Sequence, residues 1–140
     1  MKNIYAEAVT TPNNFVSVTG LTPITFEEVY QQFYAVATER LYTTSRRPHL
    51  RLVDRNLLFL IIHWLRCYPT YSQLSLLFGV SPGQISRHIR GFLPDLEQSL
   101  KSEIKWPSLM EFEQQVARHP TIGNFIGSID DTRHKIQRPG

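Results

Sequence analysis

The feature that most constrains the fold is the stretch Tyr71–Ile89, where residues that end one helix are followed at once by residues that begin another. Gly79 readily takes a positive φ, which a tight turn between two helices requires. Ser81 is a favoured N-cap, and Pro82 suits the first helical position because its missing N–H is not needed there. Gln84 then completes a capping box. The stretch therefore predicts two short helices joined by a tight turn.

The apolar residues of this stretch support the same interpretation. Ser75 is small and would let the two helices approach each other. The side chains spaced to fill the joint between the helices are Leu74, Phe78, Val80 and Ile85. Together these residues predict a helix-turn-helix from about Thr70 to Phe92.

The outward face of the second helix indicates DNA binding. If Ile85, Ile89 and Phe92 face the core, polar residues project outward, and the N-terminal end of such a helix normally enters the major groove. Glutamine can bond N6 and N7 of adenine and arginine O6 and N7 of guanine, so Gln84 and Arg87 are the candidates for base contacts. Arginines elsewhere are candidates for phosphate contacts. The predicted DNA-binding set is Ser81, Gly83, Gln84, Arg87, His88, Arg90, Arg66, Arg55, Arg46 and Arg47.

Positive charge is concentrated in the same part of the chain. The formal net charge is +3, but residues 40–90 hold eight arginines against one acidic residue, Asp54. Such a distribution is typical of a surface that meets a polyanion. The alternatives are a solvated basic face without a partner and an ordinary helical hairpin, to which His88 lends some weight because many such motifs carry an apolar residue there.

The chain as a whole is predicted to be mainly α, a small helical bundle containing the helix-turn-helix and followed by a short extended C-terminal segment. Residues 1–20 are interpreted as an N-terminal tail and residues 21–105 as the bundle. A connecting helix is expected over 106–122, opened by Pro107, and extended chain over 123–140.

Two helices before the motif and one break within it are also predicted. Thr25 with Glu28 forms a capping-box pattern, so a helix should begin at Thr25 and end near Tyr42. Asp54 should cap the next helix, which is apolar nearly all round and therefore central in the bundle. Gly91 with Pro94 predicts a break or kink near Phe92. The apolar face of the first helix comprises Phe26, Val29, Tyr30, Phe33, Ala37 and Leu41.

Composition excludes several classes of protein. Apolar residues at 41% and charged residues at 19% are typical of a folded chain and not of a disordered one. Cys67 is the only cysteine, which excludes a disulfide framework within one chain and fits an intracellular setting; it is predicted to be a small core residue. The longest apolar stretch, Asn56–Leu65, is about half of a membrane span. No membrane partner and no secretory signal are therefore expected, and the predicted location is the nucleoid or the nucleus.

The chain resembles a known family over roughly residues 15–139. The turn Phe78-Gly79-Val80-Ser81 and the helix residues Ile85-Ser86-Arg87 resemble the helix-turn-helix ahead of the catalytic domain in insertion-sequence and Harbinger-type DDE transposases. The segment 127–139 resembles the family's first strand of an RNase H-like nuclease, although Asp131 stands where the family usually has glycine and Arg133 is inserted before a histidine. The resemblance implies that Asp130 matches the first of the carboxylates that hold two divalent metal ions, magnesium, in the complete enzyme.

The resemblance also implies a truncated enzyme. The family takes its second aspartate and its glutamate from later strands, and the sequence stops at Gly140. We therefore expect Asp130 to be vestigial, a metal ligand only if completed in trans, and this chain alone to hold no cofactor and to cut nothing.

Double-stranded DNA is the expected partner, specifically the ends of a transposon. Three other interpretations stay open: a nuclease completed by a separately encoded C-terminal half, a small transcription regulator that acts as a homodimer, and a helical bundle that binds only proteins. The leading expectation is recognition without cleavage.

Overall fold

The computed structural model describes residues 1–44, 53–103, 117–119 and 123–125. Contacts divide the chain into two compact units, Met1–Ile104 and Lys105–Gly140. Within the described residues, the first unit contains six helices and the second contains two short strands, as the mainly α prediction requires. The helices are α1 Ile4–Ala8, α2 Pro12–Thr19, α3 Pro23–Thr44, α4 Arg55–Cys67, α5 Tyr71–Phe78 and α6 Pro82–Leu100, and the strands are β1 Ala117–His119 and β2 Gly123–Phe125.

Helix α4 is the centre of the first unit, as predicted. Every residue from Asn56 to Ile62 is buried, and α1, α2, α3 and α6 all pack against it. The Asp54 carboxylate caps the helix by accepting a hydrogen bond from the Leu57 N–H at 2.8 Å. Because burying one large apolar side chain contributes about 1.5–3 kcal/mol, this helix supplies much of the core's stabilisation. None of the helices that the structure describes is long and apolar enough to cross a membrane.

Helix α3 presents the predicted apolar face but begins earlier than predicted. Phe26, Tyr30, Phe33, Ala37 and Leu41 are buried on one side, and Val29 is partly buried. The predicted start at Thr25 is wrong because Thr22 and Pro23 provide an earlier cap and first turn. The Thr25 N–H donates to Thr22 Oγ1 at 3.2 Å, which places Thr25 inside the helix.

The first twenty residues are not a tail. They form α1 and α2, and they bring Ile4 and Phe15 into the core, where Phe15 is fully buried. The Tyr5 ring stacks on Phe26 with centroids 5.2 Å apart and meets Phe15 edge-on at 6.0 Å. The tail prediction was wrong because helices this short carry too few apolar residues to show a 3.6-residue period.

The predicted interruption near Phe92 is wrong as a break in α6, whereas a kink there stays a prediction. The helix continues through Pro94 to Leu100, although Pro94 cannot donate a backbone hydrogen bond. Arg40 of α3 holds this turn: its guanidinium donates to Gly91 O at 3.0 Å and to both carboxylate oxygens of Asp95 at 2.6 Å. Tertiary contacts therefore stabilise a helix that its own sequence would interrupt.

In the second unit, β1 and β2 pair antiparallel, with Arg118 opposite Asn124. The predicted connecting helix is wrong at Ala117–His119, because these residues pair with Gly123–Phe125 as a strand. The extended segment expected from residue 123 is confirmed at β2. The remaining part of the predicted connecting helix, and Asp130 with its neighbours, lie outside the described residues.

Candidate nucleic-acid interface

The turn between α5 and α6 has the predicted geometry. Gly79 ends α5 in the left-handed region at φ +65°, and its N–H donates to Ser75 O at 2.9 Å. Ser81 caps α6: its side chain accepts from the Gln84 N–H at 3.3 Å, and Pro82 occupies the first helical turn. Each of these local predictions is confirmed, so α6 begins at a fixed point directly after the turn.

Helix α5 begins with a second capping box, which the sequence reasoning missed. The Thr70 N–H donates to Gln73 Oε1 at 2.8 Å, and the Gln73 N–H donates to Thr70 Oγ1 at 3.2 Å. The pattern of a hydroxyl residue followed three positions later by glutamine was visible in the sequence, as it was at Ser81. Both helices of the motif are therefore capped in the same way.

The joint between the helices is packed as predicted. Leu74 of α5 and Ile85 of α6 are each at most 1% exposed, and Val80 of the turn is partly buried against them. Phe78 and Ile89 complete this small core. Because a close-packed core resists displacement, α6 is held rigidly by α5 and α4.

The outer surface of α6 brings together five of the predicted DNA-binding residues, including both candidates for base contacts. Gly83, Arg87 and Arg90 are exposed and recur at helical spacing, with exposed Gln84 beside them. Ser81 is exposed at the start of the helix. We call the exposed residues Ser81, Gly83, Gln84, Arg87 and Arg90 the recognition face.

His88 lies at the edge of the recognition face and is half-buried. Burial, reinforced by the nearby positive charge of Arg87, lowers the pKa of His88 below its ordinary value. The uncharged imidazole is favoured, and it can share a hydrogen bond with a ligand.

The predicted phosphate-binding arginines are placed very differently. Arg66 is exposed in the last turn of α4. Arg55 is partly exposed and paired within the bundle's surface: its guanidinium donates to Glu27 at 2.6 and 2.7 Å and lies 4.5 Å from the centre of the Tyr30 ring. This pairing raises the pKa of Arg55 and lowers that of Glu27. Arg55 thus links α4 to α3, while Arg46 and Arg47 lie outside the described residues.

Cys67 corrects another prediction. It is exposed at the end of α4 and not in the core, because the last turn of that helix extends past the buried residues. Among the residues that the structure describes, no group of three or more histidine, cysteine, aspartate or glutamate side chains is placed to hold a metal ion.

Gln84 has two competing tasks. Its Oε1 accepts from the Ser81 N–H at 3.1 Å and from the Ser81 hydroxyl at 3.3 Å, so the side chain turns back onto the cap. In a bidentate contact with adenine, Nε2 of Gln84 donates to N7 and Oε1 accepts from the N6 amino group, so the contact requires the same oxygen as an acceptor. A base contact by Gln84 therefore implies that the capping box opens, or shares its acceptor, when DNA binds.

Gln84→Glu separates these two tasks. A carboxylate retains the cap and favours the positive end of the helix dipole, so the free energy of unfolding should stay equal or rise by about 0.3–1 kcal/mol. Duplex affinity should fall by about tenfold or more, because the Nε2 donor is lost and the charge repels phosphates. Thermal unfolding and fluorescence anisotropy with a labelled duplex measure the two effects.

Gln73→Glu is the matched control, because it makes the same change in the capping box of α5. It should likewise leave the free energy of unfolding equal or raise it by about 0.3–1 kcal/mol, and it should reduce duplex affinity much less. Equal losses of affinity in the two variants would show that Gln84 has no special place in the interface.

The turn can be tested with two glycines that differ in backbone conformation. A Cβ at Gly79 or at Gly91 meets no atom within 4 Å, but Gly79 alone of the two has a positive φ. Gly79→Ala should therefore destabilise the fold by about 1–2 kcal/mol, whereas Gly91→Ala should stabilise it by about 0.5–1 kcal/mol. Chemical denaturation measures both, and a stabilising Gly79→Ala would contradict the described turn.

These features define a class of protein domain. Two capped helices joined by a left-handed glycine, a packed apolar joint and an exposed polar face on the second helix together make a helix-turn-helix of the DNA-binding type. Residues 48–102 match the family described as helix-turn-helix of DDE superfamily endonuclease. Residues 48–102 are therefore similar to a helix-turn-helix of the DDE superfamily, which confirms the predicted resemblance over this segment.

The match covers less than half of the chain and lies entirely within the first compact unit. No curated protein and no solved structure shows significant similarity to the chain. The matched segment includes α4, α5 and α6, so it contains the whole recognition face.

Proposed function

We propose that this chain binds double-stranded DNA by inserting the N-terminal half of α6 into the major groove, and that its specific target is the end of a transposon. The observation that carries the proposal is the recognition face, which is exposed on a rigidly capped helix inside a segment that matches the DDE-superfamily motif. Such a helix presents side chains to base edges while neighbouring elements contact the backbone.

Each residue of the interface has a proposed role. Arg87 and Gln84 contact base edges, and Arg90 with Arg66 contacts phosphates. Ser81 and Gly83 allow close approach at the start of α6, and His88 shares a hydrogen bond at the edge of the groove. Arg46 and Arg47 stay proposed phosphate contacts.

Arg55 is removed from the proposed interface, because its charge is compensated by Glu27 and its donors are used within the bundle. A paired arginine releases few counterions on binding, so it adds little to the affinity for phosphates.

We further infer that the chain recognises DNA without cutting it. The matched segment is a DNA-binding motif, and a two-metal nuclease needs several carboxylates that converge on the ions. Asp130 alone does not meet that requirement. A separately encoded C-terminal half that supplies the other carboxylates is the alternative, and a nucleoid or nuclear location follows from either.

A salt titration tests DNA binding itself. Fluorescence anisotropy with a labelled random duplex should show retention at low salt, with the logarithm of the association constant falling linearly as the logarithm of salt concentration rises, by about 0.9 per phosphate contact. Absence of binding at low salt would instead favour a protein-interaction bundle.

The target is tested with duplexes taken from the genomic sequence that flanks the gene. Terminal sequences of the flanking element should bind more tightly than shuffled duplexes of the same composition, by about a thousandfold or more at physiological salt. Equal affinity for terminal and shuffled duplexes would contradict transposon-end recognition and favour another site, such as a regulator's palindrome.

A further inference from the structure

The first residues of the chain contact the helix-turn-helix directly. The Lys2 backbone N–H donates to Phe78 O at 2.8 Å. Phe78 is the last residue of α5, and the carbonyls of a last helical turn lack partners within their own helix. The beginning of the chain therefore caps the end of α5, next to the turn that leads into α6.

Asn56 holds this segment in place. It is 4% exposed in the first turn of α4, and its side chain bonds the segment on both sides. Its Nδ2 donates to Lys2 O at 2.9 Å, and its Oδ1 accepts from the Tyr5 N–H at 3.1 Å. Only an amide side chain offers a donor and an acceptor in this arrangement, so the buried polar atoms are satisfied.

The segment also lies close to the start of α6, because only the turn 79–81 separates Phe78, which Lys2 caps, from Pro82 at the beginning of α6. The Lys2 side chain is turned to Glu7, 3.3 Å away, so its charge is partly compensated. We call Met1–Tyr5 the N-terminal brace, because it contacts α4 and the end of α5 beside the recognition helix.

We propose that Asn56 is a positioning residue for DNA recognition: it fixes the N-terminal brace, through which Lys2 caps α5 and sets the angle at which α6 is presented. The inference rests on the proposed function. It assigns a role in recognition to Asn56, inside the matched segment 48–102, and to the brace residues Met1–Tyr5, which precede that segment. Base contacts tolerate displacements of only about 0.5 Å, so a small rotation of α6 suffices to lose them.

Lys2→Pro tests the proposal at one atom pair, because proline lacks the N–H that caps Phe78 O. Lys2→Ala is the matched control, since it removes the side-chain charge and keeps the N–H. Asn56→Asp is the second variant: it keeps the acceptor for the Tyr5 N–H and loses the donor to Lys2 O. All three are made in the full chain and studied at a temperature where circular dichroism shows complete folding.

Lys2→Pro and Asn56→Asp should each lower the ratio of affinities for the preferred and a random duplex by about fivefold or more, while affinity for the random duplex changes by less than about twofold. Lys2→Ala should preserve the ratio. A purely stabilising role would leave this ratio unchanged in a folded protein. An unchanged ratio in Lys2→Pro, or an equal loss in Lys2→Ala, overturns the proposal.

A second readout separates this proposal from the proposed function. If the wild-type chain shows no sequence preference, the proposed function fails. The backbone amide NMR signals of Gly79 and Val80 then test whether the N-terminal brace positions the turn that leads into α6. Signals that are displaced from their wild-type positions in Lys2→Pro but not in Lys2→Ala support this positioning. Signals at the wild-type positions in both variants overturn it. Unfolding of both Lys2→Pro and Asn56→Asp also overturns it, because the brace then serves the fold and not the position of α6.

Discussion

Arg40→Ala is expected to lower the free energy of unfolding by about 3–5 kcal/mol. The Asp95 side chain is only 3% exposed, and Arg40 is its bidentate partner. Removing the guanidinium leaves a buried carboxylate uncompensated. It also removes the hydrogen bond to Gly91 O in the turn before Pro94. The cation–π contact, in which Arg40 Cζ lies 5.4 Å from the centre of the Phe92 ring, is lost as well.

Chemical denaturation followed by circular dichroism measures this loss. Arg55→Ala is the control, since its pair with Glu27 is much more exposed, at 43% and 38%, and should contribute about 1 kcal/mol or less. Replacing Arg40 and Asp95 together by leucine should restore most of the stability, because no buried charge then stays unpaired. Equal losses of stability in Arg40→Ala and Arg55→Ala would contradict the proposed stabilisation of α6 by the bonds from Arg40 to Asp95 and Gly91.

Arg87→Ala is expected to have the largest effect on DNA recognition. A bidentate contact with guanine contributes about 1–3 kcal/mol, so affinity for the preferred duplex should fall by about fivefold to a hundredfold. Affinity for random duplexes should fall much less, because phosphate contacts by other residues persist. Equilibrium binding to both duplexes at one salt concentration gives the two values.

Arg66→Ala provides the contrasting case. Arg66 is proposed to contact a phosphate, so its loss should weaken binding to preferred and random duplexes alike and reduce the salt slope by about 0.9. If Arg66→Ala and Arg87→Ala change the affinities for preferred and random duplexes in the same way, the two arginines do not have the separate roles proposed for them.

The motif itself was predictable because its determinants are local. Gly79, Ser81, Pro82 and Gln84 each act through their own backbone or through a residue three positions away, and the structure confirms all four. Helical periodicity likewise located the buried face of α3, since that helix is long enough to repeat its pattern.

The contacts that position the motif could not be read from the sequence. The sequence predicts that Arg55 is an unpaired positive charge, whereas in the structure α3 places Glu27 beside it. The sequence also predicts that Pro94 interrupts its helix, whereas in the structure Arg40 bonds the turn before it. Both contacts join residues far apart in the chain. Local propensity therefore gave the wrong answer for Pro94, where tertiary bonds override it.

The N-terminal residues illustrate a different limit. Helices α1 and α2 are too short for a periodic pattern, so the bond from Lys2 to Phe78 had no counterpart in the sequence. A buried asparagine inside an otherwise apolar helix, Asn56, was the one visible clue that a polar partner packs there.

Recognition of DNA by α6 is best tested by selection of bound duplexes from a random pool, carried out in parallel with the wild-type chain and Arg87→Ala. We expect the wild-type chain to enrich one short motif containing a strongly preferred guanine, and the preference at this position alone to relax in the variant. Absence of any enriched motif, or an identical motif in both selections, would contradict recognition of DNA by the exposed face of α6.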